Sequence, residues 1–257
     1  MKISIIGNGN LAQNLSRAFV RSSYELNEIY SLNYEALKKF SSELGVIPLK
    51  QISDLNTDID ILIVAITDHA IENLLKELPT GDYVVLHTSG TLSMNIFEGL
   101  SFKNYGVFYP LYSFVKDKKT NFKDIPLMIE ASNVEALNKI KEIAENLSRN
   151  VMEVNSLDRR LYHLSGVMVN NFANYLWTVT QELLEENDLD FDYLKPILKQ
   201  TADNALNTSD LKGIQTGPAK RKDFKIIQDH YSILENNLPL LDLYRKMTDL
   251  IIEKHKD

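Results

Sequence analysis

His163, Asn170, Asn174 and Gln181 recur at a spacing that gathers them on one side of a helix. At about 100° per residue they fall within about 20° of one line. Leu164, Met168, Phe172, Tyr175, Val179 and Leu183 lie opposite. A stripe facing water normally carries Lys and Glu. This one carries neutral hydrogen-bonding groups through its middle, as suits a polar surface that finds partners on another domain, a subunit or a ligand. Two uses stay open, a structural hydrogen-bond network and a substrate contact. A second histidine, His87, closes an apolar run and is followed by Thr88, Ser89 and Gly90. Histidine exchanges a proton near neutral pH, so His87 or His163 could handle the proton that accompanies hydride transfer to a carbonyl or imine. Each also suits a hydrogen-bonded structural role. The five histidines show no metal-ligand spacing, and no metal site is expected. The absence of cysteine excludes thiolate catalysis and disulfides. Thr216-Gly217-Pro218, followed by Lys220, Arg221 and Lys222, makes a basic loop opening a helix. Thr216, Gly217 and Arg221 are therefore a candidate anion site, with a solvated charge run as the alternative.

These groups need a scaffold, and the first twelve residues begin it. Lys2-Ile3-Ser4-Ile5-Ile6 reads as a buried strand, Gly7-x-Gly9-x-x-Ala12 follows, and Leu11, Leu15 and Phe19 start a helical spacing. Gly7 allows the tight bend, Gly9 lets the backbone approach a pyrophosphate, and Ala12 lets the helix pack closely on the strand. The turn Gly7, Asn8, Gly9, Asn10, Leu11 and Ala12 thus offers helix N–H groups to a dinucleotide. Thr67 and Ser89, just past the strands Asp60–Ile66 and Tyr83–His87, join the expected cofactor set. An NAD-selective site wants an acid at the end of the second strand. Ser31 and Asn33 stand there instead, both neutral, so NADP is expected, with NAD the alternative.

Eight strand-like runs alternate with helical ones from residue 1 to about 155, the pattern of a parallel α/β sheet. They are Ile3–Ile6, Glu28–Leu32, Gly45–Leu49, Asp60–Ile66, Tyr83–His87, Tyr105–Tyr109, Leu127–Glu130 and Val151–Val154. Helices are expected near 11–20, 34–44, 70–78, 92–100 and 134–147. From 156 on no strand pattern remains: one long helical segment, Leu157 to Glu186, precedes shorter ones. The expected organisation is a Rossmann-like domain with a mostly parallel, doubly wound sheet over 1–155, followed by an all-helical domain over 156–257. The net charge of −7 argues against nucleic acid or an anionic membrane as partner. The longest strongly apolar run, Ile61 to Ile66, is far short of the ~20 residues of a spanning helix. With no signal-peptide pattern, a cytoplasmic protein is expected.

Two resemblances bear on function. Gly166-x-x-x-Asn170-x-x-x-Asn174 resembles the Gly-x3-Lys-x3-Asn helix of β-hydroxyacid dehydrogenases, which also join a Rossmann domain to a helical one. In that family the lysine is the acid/base and the asparagine orients substrate. Asn170 stands at the lysine position, and an amide carries no proton on and off near neutral pH. The resemblance therefore implies the architecture and an orienting role for Asn174. A closer likeness covers essentially the whole chain. His87-Thr-Ser-Gly90, Phe108-Tyr-Pro-Leu-Tyr-Ser-Phe114, His163 through Phe172 and Thr216-Gly-Pro-Ala-Lys-Arg-Lys-Asp223 follow the fingerprint in order. The set resembles the bacterial family of Rossmann-like proteins with a C-terminal helical domain of unknown function, labelled NADP-dependent oxidoreductases and related to pyrroline-5-carboxylate reductase. Tyr109 stands where many members have histidine. The resemblance implies hydride transfer to or from a small anionic carbonyl, imine or hydroxy compound, and a homodimer. The rival expectation is a non-catalytic nucleotide sensor or scaffold.

Overall fold

The computed structural model describes residues 1–115 and 118–256. The chain forms two compact units, Met1–Phe172 and Ala173–Asp257.

In the first unit, β1 (Lys2–Ile6), β2 (Glu25–Tyr30), β3 (Ile47–Leu49), β4 (Ile61–Val64), β5 (Val84–His87), β6 (Asn104–Pro110), β7 (Leu127–Ala131) and β8 (Val151–Glu153) make one sheet. Its order is β3-β2-β1-β4-β5-β6-β7-β8. Every neighbouring pair is parallel except β6 with β7. All eight expected strands form, with β2 at Glu25–Tyr30 starting three residues before the expected Glu28–Leu32. Ile61, Leu62, Ile63 and Val64 are completely buried, because the central strand β4 is covered on both faces. Ile61 and Ile63 join one core with Ile3, Leu15 and Phe19, while Leu62 and Val64 join the other with Ile71 and Phe97. The chain reverses direction across the sheet between β1 and β4. A doubly wound sheet opens its ligand crevice at that point, beyond the strands' C-terminal ends.

The helices are α1 (Asn10–Val20), α2 (Tyr34–Leu44), α3 (Asp68–Glu77), α4 (Val134–Leu147) and α5 (Ser156–Gly166). Asn33 and Asn133 cap α2 and α4 by accepting from Ala36 and Ala136 N–H. The helix expected over 92–100 is only a 3-10 turn, Met94–Phe97. It stops because Glu98 is extended and Gly99 turns left-handed at φ 79°. The run from α5 onward also departs from the simple periodicity: Val167–Phe172 is π-helical. Bonds to i+5 widen the turn, so the 100° spacing does not carry one stripe unbroken past Gly166.

The second unit contains α6 (Ala173–Glu185), α7 (Lys195–Leu206), α8 (Pro218–Arg221), α9 (Phe224–Ile233) and α10 (Leu238–Lys254). Ala219, Ile227, Leu234 and Leu241 are its buried apolar side chains. Strands end at β8 and α5 begins at Ser156, whereas the compact units divide at Phe172. Among the described residues no helix is long and apolar enough to cross a membrane.

Candidate functional site

The first feature is built from backbone. Gly7 adopts φ +129° and donates its N–H to Tyr30 O at 2.8 Å. A Cβ there would lie 2.1 Å from the Ala65 carbonyl oxygen, so only glycine fits. Ala12 is completely buried against the same bend. Gly9 differs. It N-caps α1 without a side-chain bond, and a Cβ on it would meet nothing within 4 Å. The N–H groups of Asn10, Leu11 and Ala12 belong to the first turn, where no intrahelical acceptor exists. That turn holds no acidic residue. Open space, free donors and the positive helix end fit a pyrophosphate. Asn8 is held beside it by Gln13 Nε2, which donates to its carbonyl and side-chain oxygens, each at 3.2 Å.

At the far end of β2, Ser31 is half-buried and Asn33 is exposed. Asn33 uses its side-chain oxygen as the α2 cap and keeps its amide N–H groups. Neither position offers a carboxylate to a ribose. Thr67, not Asp68, is the N-cap of α3, and its hydroxyl lies 3.5 Å from His69 Nε2. Asp68, freed from capping, accepts the Ser89 hydroxyl at 2.7 Å and that of Thr91. Ser89 Oγ also accepts from Thr91 and Leu92 N–H at 3.0 Å each, so its hydroxyl is engaged inside its own turn.

His87 and His163 have different surroundings. His87 is completely buried at the end of β5, its ring stacked on Phe97 with centroids 5.8 Å apart. Ser89 N–H donates to its Nδ1 at 3.2 Å. Burial, helped by the Arg159 guanidinium, pushes its pKa down to about 3. The ring is therefore neutral at physiological pH and, with Nδ1 taken by Ser89 and Nε2 buried, presents neither nitrogen to a ligand. This corrects its candidacy as the acid. His163 is half-buried on α5, and its Nδ1 lies 3.0 Å from the Tyr109 hydroxyl. The backbone of Gly90 passes directly beneath this pair. A Cβ there would stand 2.6 Å from His163 Nδ1 and 2.8 Å from Tyr109 Cζ. Burial holds the Tyr109 phenol above its ordinary pKa, with Arg159 partly opposing. Sequence reasoning missed Tyr109 as a partner, because 54 residues separate it from His163 and no local spacing links them.

A second unforeseen group holds α5 in place. Arg159, one turn before His163, is completely buried. It donates to the Glu130 carboxylate and the Leu92 carbonyl. Ser156 completes the knot: its hydroxyl donates to Glu130 Oε2 at 2.8 Å and its N–H to Oε1 at 3.1 Å.

A cavity of about 650 Å³ opens beside the pair. One wall is made by residues within Tyr109–Val115 together with Lys118 and Thr120. The other runs from Tyr162 to Asn171 and includes His163, Asn170 and Asn171. The first wall is also tied to α1. Asn10 Nδ2 donates to Phe114 O at 2.9 Å, and Thr120 N–H donates to Asn14 Oδ1 at 3.0 Å. The cavity and the nucleotide turn therefore share a loop. Asn174 stands exposed on α6, in the second unit. Thr216, Gly217 and Arg221 are also in that unit. Gly217 needs its glycine, at φ +101°. The helix it opens, α8, is only four residues long and carries little dipole to hold an anion. Among the described residues no group of three His, Asp or Glu is arranged to hold a metal.

Known proteins with this arrangement carry related names. The family model "NADP oxidoreductase coenzyme F420-dependent" matches residues 2–88, and "Domain of unknown function (DUF2520)" matches residues 125–251. BF3122 from Bacteroides fragilis, named "putative NADP oxidoreductase", is 33% identical over 98% of both chains, with a TM-score of 0.90. TM1727 from Thermotoga maritima is 23% identical over 98% of both chains, with a TM-score of 0.74. A reductive aminase from Aspergillus terreus, in complex with NADPH and ethyl levulinate, is 13% identical. That match covers 99% of this chain and 96% of the aminase, with a TM-score of 0.71. At the last two identities the likeness is one of fold. No curated protein matches the chain.

Proposed function

This chain belongs to the family that joins an NADP-oxidoreductase nucleotide-binding domain to a C-terminal DUF2520 domain, and on that premise we propose that it transfers a hydride between NADP and a small carbonyl, imine or hydroxy compound. The observation that carries the reading is the Tyr109–His163 pair, set in the wall of a cavity that shares a loop with the phosphate-ready turn of α1. The bound nicotinamide supplies or takes the hydride. The chain's own work is binding and proton handling. Gly7 shapes the turn, and Asn10, Leu11 and Ala12 N–H groups receive the pyrophosphate. Ser31 and Asn33, without a carboxylate to repel a 2′-phosphate, support NADP over NAD. The Tyr109 hydroxyl engages His163 Nδ1, which leaves His163 Nε2 as the nitrogen that exchanges a proton with the substrate heteroatom. Asn170, in the cavity wall, and Asn174 are assigned to orientation rather than proton transfer.

The reading extends to assembly. Neither α6 nor α7 buries a residue. Trp177, Tyr193, Ile197 and Leu206 remain 45%, 86%, 57% and 83% exposed. Aromatic and aliphatic surface of that extent supports a homodimer through the helical unit. Sedimentation as a monomer at micromolar concentration counts against it.

Thermal unfolding with NADPH, NADH and unrelated nucleotides tests the main reading. Saturation at 100 times the dissociation constant stabilises by about 2.7 kcal/mol. No shift with either nicotinamide overturns the proposal. The replacement of the expected lysine by Asn170 favours a second reading, a nucleotide sensor without turnover. Stabilisation by NADPH with no absorbance change across keto acids, imines and hydroxy acids would select it. Where turnover is found, His163→Gln lowers kcat by about a hundredfold with NADPH binding unchanged.

A further inference from the structure

The lining of the cavity has a charge character unlike the chain around it. Asp and Glu number 35 against 28 Lys and Arg in the sequence. Among the described lining residues there is no carboxylate. Those described residues include one ammonium, Lys118. The same lining holds two neighbouring amides, Asn170 and Asn171, with Asn170 Nδ2 3.5 Å from Asn171 Oδ1. Adjacent residues of an ordinary α-helix diverge by about 100°. Both asparagines line the cavity from within the π-helical turn Val167–Phe172, whose wider turn departs from that angle. Much of the remaining surface is aliphatic or aromatic, with Leu111, Tyr112, Val115, Tyr162 and Val169.

A cation and amide donors in one lining, with no carboxylate among its described residues, form a receptor for an anion. The volume of about 650 Å³ exceeds what a two- or three-carbon acid fills, and it lies within the range of sites for larger organic ligands. We propose that the substrate is a carboxylate with a bulky apolar body. Lys118, Asn170 and Asn171 hold the carboxylate, and the tyrosine and aliphatic walls hold the body. This rests on the oxidoreductase reading only for placing the reacting carbon beside Tyr109 and His163. The binding site itself stands on the lining.

The test uses the full-length protein and two inert probes of identical body, 3-phenylpropionate and 3-phenylpropionamide, titrated calorimetrically with and without NADP+. The carboxylate is expected to bind about tenfold more tightly than the amide. Lys118→Met is expected to erase that preference while leaving amide affinity unchanged. Asn171→Leu, which leaves the Tyr109–His163 pair intact, is expected to weaken the carboxylate about threefold. Equal affinities in the unaltered protein, or no binding of either probe up to about 10 mM, overturn the proposal. A preference that survives Lys118→Met overturns the assignment of the cation. The hydride-transfer reading is judged separately by NADPH stabilisation, so a protein that binds NADPH but does not discriminate the probes fails here alone.

Discussion

The nucleotide turn and the α5 wall are both poised for ligands, but they are made from different material. The turn works through main-chain groups: a left-handed glycine, an open N-cap and a helix end. The wall works through side chains gathered across long stretches of sequence: Tyr109 with His163, Glu130 with Arg159, and Lys118 in one lining with Asn170. A backbone site tolerates side-chain change but not a change of backbone. A side-chain site depends on whatever fixes its elements in rotation. Removing the fixative of the wall is therefore expected to have the largest effect. Glu130→Ala leaves the Arg159 guanidinium buried without its counter-charge, a loss of about 3–5 kcal/mol. Urea unfolding measures it. Replacing both partners by Leu and Met is expected to recover most of the loss, because no buried charge then remains unpaired. A Glu130→Ala effect below about 1 kcal/mol would show that the knot does not hold α5.

The same contrast explains which parts were legible in the sequence. The eight strands and the α1 turn are local patterns, and β4 was readable because a fully covered strand is apolar throughout. The 3-10 turn at Met94–Phe97 was not, since the apolar spacing continued while Gly99 ended the helix. The stripe through His163 was legible only as far as Gly166, because nothing in the residue types announced the π-helical turn. Asp68 is a good capping residue by type and stands at the start of α3. Thr67 took the place, and Asp68 serves the Ser89 turn instead. Tyr109, Arg159 and Lys118 were passed over because their roles come from residues 29 or more positions away in the sequence.

The next effect tests the turn. Gly7→Ala places a Cβ 2.1 Å from the Ala65 carbonyl at a φ that L residues avoid. We expect about 3 kcal/mol of lost stability, read from the urea midpoint. NADPH affinity should fall with it. A stable Gly7→Ala protein that still binds NADPH would mean that the bend is not held as described.

The two histidines give a smaller, pH-dependent contrast. The unfolded chain protonates His87 near its ordinary 6.5, while the native state refuses the proton down to about 3. Between those values the unfolded state binds more protons, so stability rises with pH and is lost as pH falls below 6.5. The slope from this one group reaches about 1.4 kcal/mol per pH unit. Subtracting the stability–pH curve of His87→Asn from that of the unaltered protein between pH 6.5 and about 5 isolates it. A flat difference would mean that His87 takes up protons in the native state.

The smallest expected effect on folding separates the two glycines of the turn. Gly9 is extended at φ −76°, and a Cβ on it faces open space. Gly9→Ala needs no backbone movement and should change stability by no more than about 0.5 kcal/mol. The added methyl group instead enters the space where backbone and pyrophosphate must approach, so the NADPH-induced thermal shift should shrink while the unliganded midpoint stays put. Gly7 and Gly9 would then differ in kind, one required by the fold and the other by the ligand. If Gly9→Ala binds NADPH undiminished, the pyrophosphate does not pass over Gly9, and the helix end alone must hold it.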